Sequence, residues 1–241
     1  MRGILITFEG IDGSGKSTTI AEIARRIGEE ERGDEERTPF AGRRFHFTAE
    51  PTGGEEGRLI REMLRKGPKT ANVGGPGARE AEQLEELFLF MADHARHLKE
   101  TVIPALERGR VVISDRYSDS RIAYQGATLR GIIPQPMKWV RELHRPWSVV
   151  PDKTILFSID PAQAVLRCRS REEVSPSRMP KSPEKFEREA FLQEVAANFE
   201  AMARSEPGRF VIIDAARSKA EILEETMEAL TEILEETKTN V

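Results

Sequence analysis

The sequence predicts an α/β fold: a doubly wound, five-stranded parallel sheet flanked by helices. Three observations predict it. Five short apolar runs, Ile4 to Phe8, Phe45 to Thr48, Val111 to Ser114, Thr154 to Ile159 and Phe210 to Ile213, alternate with helical patterns. The runs are nearly continuously apolar, as expected of parallel strands buried on both faces. A glycine-rich segment joins the first run to the first helix, the junction at which doubly wound sheets bind phosphates.

That segment reads Gly10-Ile11-Asp12-Gly13-Ser14-Gly15-Lys16-Ser17, the pattern G-x-x-x-x-G-K-[ST] of a phosphate-binding loop. Its glycines let consecutive backbone N–H groups turn inward, and the helix N-terminus beginning near Thr18 adds partial positive charge. Lys16 is expected to reach the β- and γ-phosphates of a nucleoside triphosphate, and the Ser17 hydroxyl to sit on Mg²⁺. The fold class is thus narrowed to that of the P-loop NTPases.

The remaining elements follow in order. Glu29 to Arg37 is a charge run suited to a solvated turn, and Gly67 to Gly77, rich in glycine and proline, reads as a flexible loop. The third strand ends in Asp115-Arg116, at the carboxyl edge of the sheet. There Asp115 suits the Walker-B role at Mg²⁺ and Arg116 can fork onto a phosphate. Asp160-Pro161 with Gln163, Ser182-Pro183, and Ser218 with Glu221 mark helix starts. The last of these leads an amphipathic helix through Ile222, Leu223, Met227, Leu230 and Leu234. Arg169 to Pro180 lacks periodicity and carries arginines, which makes the region around residues 167–182 the candidate for a mobile lid on a single domain spanning 1–241.

Composition bounds the function. Of 241 residues, 38% are apolar and 32% charged, enough for a core beneath a strongly charged surface. A net charge of −4 argues against a general nucleic-acid binder, while the five basic residues between Arg167 and Lys181 suit a small polyanion. One cysteine, Cys168, excludes an intrachain disulfide framework. The first strand begins directly after Gly3, and no apolar run approaches the roughly 20 residues that span a bilayer. A cytoplasmic protein without a membrane partner is expected.

Asp115-Arg116-Tyr117-Ser118-Asp119-Ser120-Arg121-Ile122-Ala123-Tyr124-Gln125-Gly126 resembles the signature segment of thymidylate kinases. Phe8 to Thr18 resembles that family's phosphate loop, Glu50-Pro51-Thr52-Gly53-Gly54 with Arg61 its Glu-Pro-Gly-Gly segment, and Leu87 to His94 its Leu-Leu-Phe-Ala-Ala-Asp-Arg helix. Pro151 to Thr154 and Val211 to Ala215 are similar to its two later strands. The resemblance implies ATP- and Mg²⁺-dependent phosphorylation of dTMP to dTDP in a homodimer. It also implies site roles. Gly10 to Thr18 would cradle ATP. Lys16, Arg116, Asp12 and a lid arginine, Arg167 or Arg171, would serve catalysis, and Ser17, Asp115 and Asp12 the metal. Glu50, Arg61, Phe90, His94, Arg116, Arg121, Tyr124 and Gln125 would line the acceptor site with Asp12. Arg116 would grip the dTMP phosphate, Phe90 stack on thymine and Tyr124 exclude a ribose 2′-hydroxyl.

The chain departs from the family's usual pattern at His94, at Arg121 and at Ala49, which precedes Glu50-Pro51 where bacterial relatives often have arginine, and its phosphate loop is informative by what it lacks. Asp12-Gly13-Ser14-Gly15 contains no arginine, unlike the phosphate loops of some relatives, which shifts the catalytic cation to Arg167, Arg169, Arg171 or Arg178 of the lid. His94 stands where arginine usually donates to the thymine 4-carbonyl, and Arg121 stands where small or amide residues are usual. Arg121 either takes over that carbonyl contact or points outward. Phosphorylation of another nucleoside monophosphate or a deoxynucleoside is the nearest alternative. A non-catalytic nucleotide-binding module is the alternative from another class.

Overall fold

A computed structural model describes residues 2–30, 40, 42–66, 77–174 and 185–239. Five strands, β1 (Ile4–Glu9), β2 (Phe45–Ala49), β3 (Val111–Asp115), β4 (Lys153–Ser158) and β5 (Phe210–Asp214), form one sheet in the order β2-β3-β1-β4-β5. Every pairing is parallel. Each predicted run became a strand, with ends displaced by at most one residue. Burial on both faces holds for β1 and nearly so for β3 and β4, but β2 and β5 are partly exposed. Each of these two is an edge strand with a neighbour on one side only.

Around the sheet lie α1 (Lys16–Glu30), α2 (Glu55–Lys66), α3 (Ala78–His97), α4 (Ile103–Glu107), α5 (Ser118–Thr128), α6 (Pro136–His144), α7 (Pro161–Val174), α8 (Lys185–Ser205) and α9 (Lys219–Thr239). One π-helical turn, Leu98–Val102, joins α3 to α4. Pro104 lies just beyond it and has no N–H to return to Glu100, so ordinary α-helical bonding is interrupted there.

Strand pleating sorts the core. Ile4, Ile6 and Phe8 join a large cluster containing Ile23, Ile122, Phe157, Phe199 and Leu230, while Leu5 joins Leu98, Val102, Leu106 and Val112 in a smaller one. Phe8 and Phe157 pack with ring centroids 5.8 Å apart. Each fully buried side chain of this size contributes about 1.5–3 kcal/mol.

Two of the caps read from sequence lie within the described residues, and both are formed. Asp160 Oδ1 accepts the N–H groups of Ala162 (2.9 Å) and Gln163 (3.1 Å). Ser218 and Glu221 exchange reciprocal side chain to backbone bonds of 3.0 and 3.3 Å. One boundary is corrected. The segment expected to lack periodicity from Arg169 onward is helical through Val174, because Ala162 to Val174 contains no glycine or proline. The charge run at 31–37, the loop at 67–76, the Ser182-Pro183 start and the lid beyond Val174, with Arg178, lie outside the described residues.

Register positions the site. Phe8 pairs with Asp115 and Asp115 with Ala49, so the ends of β1, β3 and β2 are level and deliver Gly10, Arg116 and Glu50 side by side.

Candidate active site

The phosphate loop needs its glycines. Gly10, Gly13 and Gly15 have φ of 137°, 86° and 95°, conformations that side chains disfavour. Gly13 is doubly constrained: a Cβ there would lie 2.3 Å from the Ala164 carbonyl oxygen, because the first turn of α7 packs on the loop. That contact leaves no room for the arginine some relatives carry within the loop.

Inside the loop, Lys16 Nζ donates to Gly10 O (2.9 Å), Ile11 O (3.1 Å) and Ser14 Oγ (3.2 Å). Burial, with Arg116 nearby, pushes its ammonium down to about 8. Ser17 Oγ donates to Asp115 Oδ2 at 2.5 Å. These are two hard oxygen groups at the mouth of one cavity, the donor set that Mg²⁺ takes, so the residues present fit the ion. The cavity, about 230 Å³, is lined by Asp12, Gly13, Gly15, Lys16, Ser17, Glu50, Asp115 and Arg116.

Arg116 faces the loop across this cavity. Its backbone φ of 67° is left-handed, which costs a non-glycine residue about 1–3 kcal/mol and requires the surroundings to enforce it. Nη2 donates to Asp12 Oδ1 (2.6 Å) and Tyr124 Oη (3.3 Å), and Nη1 to Gly10 O (3.1 Å) and Ser120 Oγ (2.9 Å). The Asp12 N–H also donates to Tyr124 Oη (3.2 Å), and the guanidinium lies 5.0 Å from the Tyr124 ring centroid. Asp12, Arg116 and Tyr124 therefore form one hydrogen-bonded unit, and Ser17 and Asp115 a separate pair.

Beyond Glu50 lies a buried polar cluster that the sequence did not announce. Glu50 Oε1 accepts from His94 Nδ1 (2.7 Å) and His97 Nδ1 (2.6 Å), and its Oε2 accepts from Arg121 Nη1. Arg121 Nε donates to His144 Nε2 (2.8 Å), whose Nδ1–H donates to Val140 O (2.8 Å). Burial disfavours the Glu50 charge, but Arg121 and the two histidines outweigh it and hold the carboxyl well below its ordinary value. Burial and Arg121 push His94 down to about 4 and His144 to about 3. Glu50, His94 and His97 could be mistaken for a metal centre. Their separations are those of hydrogen bonds, however, whereas nitrogens sharing a zinc ion stand about 2.0–2.1 Å from it and over 3 Å from each other.

The cluster decides between the expectations for His94 and Arg121. The single N–H of neutral His94 goes to Glu50 and its Nε2 accepts from Ser148 Oγ (2.8 Å), so it has no donor left for a base carbonyl. Arg121 points inward, and its Nη2 is buried without a partner among the described residues. One helical turn later, Gln125 is equally buried; its Nε2 donates to Glu86 (3.2 Å) while its Oε1 has no partner among the described residues. Phe90 is half-buried on α3. Arg61 is exposed and donates to Pro51 O (2.9 Å), which braces the Glu50-Pro51 segment. Arg167 turns to the carbonyls of Ala215 (2.7 Å) and Ala216 (3.5 Å). Arg171 lies on α7. Glu9 and Ser120 are the residues at Arg116 that sequence reasoning left unassigned, although an acidic residue ending an apolar strand was a visible signal.

Residues 8–226 match the family model for thymidylate kinase. The chain belongs to the thymidylate kinase family. It is similar to proteins named probable thymidylate kinase across nearly the full length of both chains. The one from Methanosarcina mazei is 45% identical, with 98% of each chain covered. That of Methanococcoides burtonii is 41% identical over 98% of this chain and 100% of its own. That of Halobacterium salinarum is 40% identical over 96% and 97%. Membership makes the chain a phosphotransferase that uses ATP, and Lys16 and Arg116 line one cavity beside the glycine-rich loop.

Proposed function

We propose that this protein phosphorylates dTMP to dTDP by in-line transfer from ATP with Mg²⁺, as one domain over residues 1–241. One cavity lined together by Lys16, Ser17, Asp115, Arg116 and Asp12 is the observation that carries this reading. The loop Gly10 to Thr18 cradles the triphosphate. Ser17 and Asp115, with Asp12 in support, would hold Mg²⁺, which would supply neutralisation of the developing phosphate charge.

The acceptor is a phosphate oxygen, already anionic at neutral pH, so no protein base is needed. Catalysis is positioning and charge neutralisation. Arg116 exchanges its loop contacts for the acceptor phosphate, Asp12 accepts from the sugar 3′-hydroxyl, and Tyr124 fills the space of a 2′-hydroxyl. Glu50 and Arg61 shape the pocket floor and Phe90 stacks on the base. The unpartnered Arg121 Nη2 and Gln125 Oε1 supply a donor and an acceptor on one face of α5, which complements the 4-carbonyl and N3–H of thymine. Cytosine reverses that pattern. A lid arginine supplies the transition-state cation. Since Arg167 is engaged by the Ala215 carbonyl, Arg171 is the favoured candidate.

A transfer assay with dTMP, dUMP, UMP, dCMP and dAMP at equal concentrations tests the acceptor. Preference for dTMP and dUMP over dCMP is expected, and Arg121→Ala abolishes it. Indifference among the pyrimidines would overturn the base reading and leave the kinase assignment standing. The exposed Leu59 and Leu64 on α2 and Phe88 on α3 support a homodimer through these helices, which a light-scattering mass tests. Both substrates are nucleotides and Cys168 is the single cysteine of the sequence, in keeping with work in the cytoplasm.

A further inference from the structure

Arg116 adopts a backbone conformation that nothing in its own side chain favours, and two consecutive residues of β1 hold it. Phe8 O accepts the Arg116 N–H at 3.0 Å. The next residue, Glu9, is fully buried, and its carboxylate meets the start of α5: Oε1 accepts the N–H groups of Tyr117 (2.8 Å) and Ser120 (3.2 Å), and Oε2 accepts the Ser120 hydroxyl (2.5 Å). Tyr117, at the N-cap position of α5, offers no side-chain cap of its own, so Glu9 supplies from another strand what a capping residue would supply locally. The Ser120 hydroxyl is shared. While donating to Glu9 it accepts Arg116 Nη1 at 2.9 Å, which forms a chain Glu9–Ser120–Arg116.

We propose that Glu9 is a positioning residue for phosphoryl transfer: through the Tyr117 amide and the Ser120 hydroxyl it holds Arg116 in its left-handed bend, with the guanidinium at the cavity that Lys16 also lines. The proposal rests on the reading of Arg116 as the group that grips the acceptor phosphate. Arg116 and Lys16 act to lower the pKa of the Glu9 carboxyl, but burial and Asp119 outweigh them and push it up to about 8, so its hold on Arg116 is geometric, through the Tyr117 amide and the Ser120 hydroxyl. If Glu9 were only a helix cap, its loss would lower stability and affect both substrates alike.

Kinetics and thermal melts of Ser120→Ala, Ser120→Thr, Glu9→Gln, Glu9→Gln/Ser120→Ala and Arg116→Ala separate these roles. Ser120→Ala removes the shared hydroxyl and leaves both backbone bonds of Glu9. It is expected to lower kcat/KM for dTMP about tenfold, the loss of one charge-assisted bond, with KM for ATP unchanged. Ser120→Thr restores the hydroxyl and most of the activity. Glu9→Gln keeps a carbonyl oxygen for the amides but turns an NH₂ donor toward the Ser120 hydroxyl, and costs kcat more than Ser120→Ala does. The double variant falls no further than Glu9→Gln, because both act on one chain of bonds. Folded Ser120→Ala and Glu9→Gln enzymes with near-normal dTMP turnover would overturn the proposal, as would equal losses toward both substrates. Should Glu9→Gln fail to fold, the Ser120 pair decides. Normal dTMP turnover in Arg116→Ala would instead refute the underlying role of Arg116.

Discussion

Gly13 shows how a single position can determine where a charge is found. Its φ of 86° and the carbonyl of Ala164 leave no room for a side chain at position 13, and so for a second cation there beside Lys16. Gly15 shares the positive φ but has open space where a Cβ would go. Gly15→Ala should therefore cost only backbone strain, about 1 kcal/mol. Gly13→Ala must also push α7 off the loop and should cost at least twice as much, with a matching loss of ATP affinity. Thermal melts with and without ATP compare the two, and equal destabilisation would show that the α7 contact is not limiting. The loop was legible in the sequence because every member of its pattern lies within eight residues. The partners of Gly13 and Glu9 were not, since Ala164 and Ser120 are brought to them only by folding.

At the scale of elements, the first turn of α7 packs on the phosphate loop and its later turns hold Arg169 and Arg171, within the stretch the sequence offers as a lid. A transition-state arginine is worth about 10³–10⁵ in rate, so Arg171→Ala should lower turnover at least a hundredfold while ATP affinity changes little. Single-turnover rates for alanine variants of Arg167, Arg169, Arg171 and Arg178 provide the measurement. Near-normal rates in all four would remove the lid as the source of the cation. The strands were readable within one residue because apolar runs report burial directly, and the caps because they are local. The helical stretch from Arg169 to Val174 was misread because its charges mask periodicity, while its residue types still favour a helix.

For the whole molecule, the buried cluster ties β2, α3, α5 and α6 into a pH-sensitive core. His94 and His144 titrate near 4 and 3 in the folded protein, against 6.5 ordinarily, because burial and Arg121 oppose their protonation. Their folded values lie below their unfolded ones, so the unfolded chain takes up protons first as pH falls. Stability from these groups is complete above about pH 6.5 and is lost toward pH 4, at up to about 1.4 kcal/mol per pH unit for each histidine. Melting temperatures across that range should fall, and less steeply in His144→Asn. A flat profile from pH 6.5 to 4 would contradict the neutral, buried assignment. None of this was visible in the sequence, where Glu50, His94, His97, Arg121 and His144 lie scattered over 95 residues and share no period.

That cluster also constrains how the protein can change over generations. Glu50 answers to His94, His97 and Arg121 at once, and Arg121 to Glu50 and His144. Removing either partner of the buried ion pair leaves a stranded charge, at a cost of about 3–5 kcal/mol and a large share of any domain's stability. No member can drift alone. Histidine at position 94 and arginine at position 121 are best understood as a single inherited choice, and descendants that exchange one should be found to have exchanged the other.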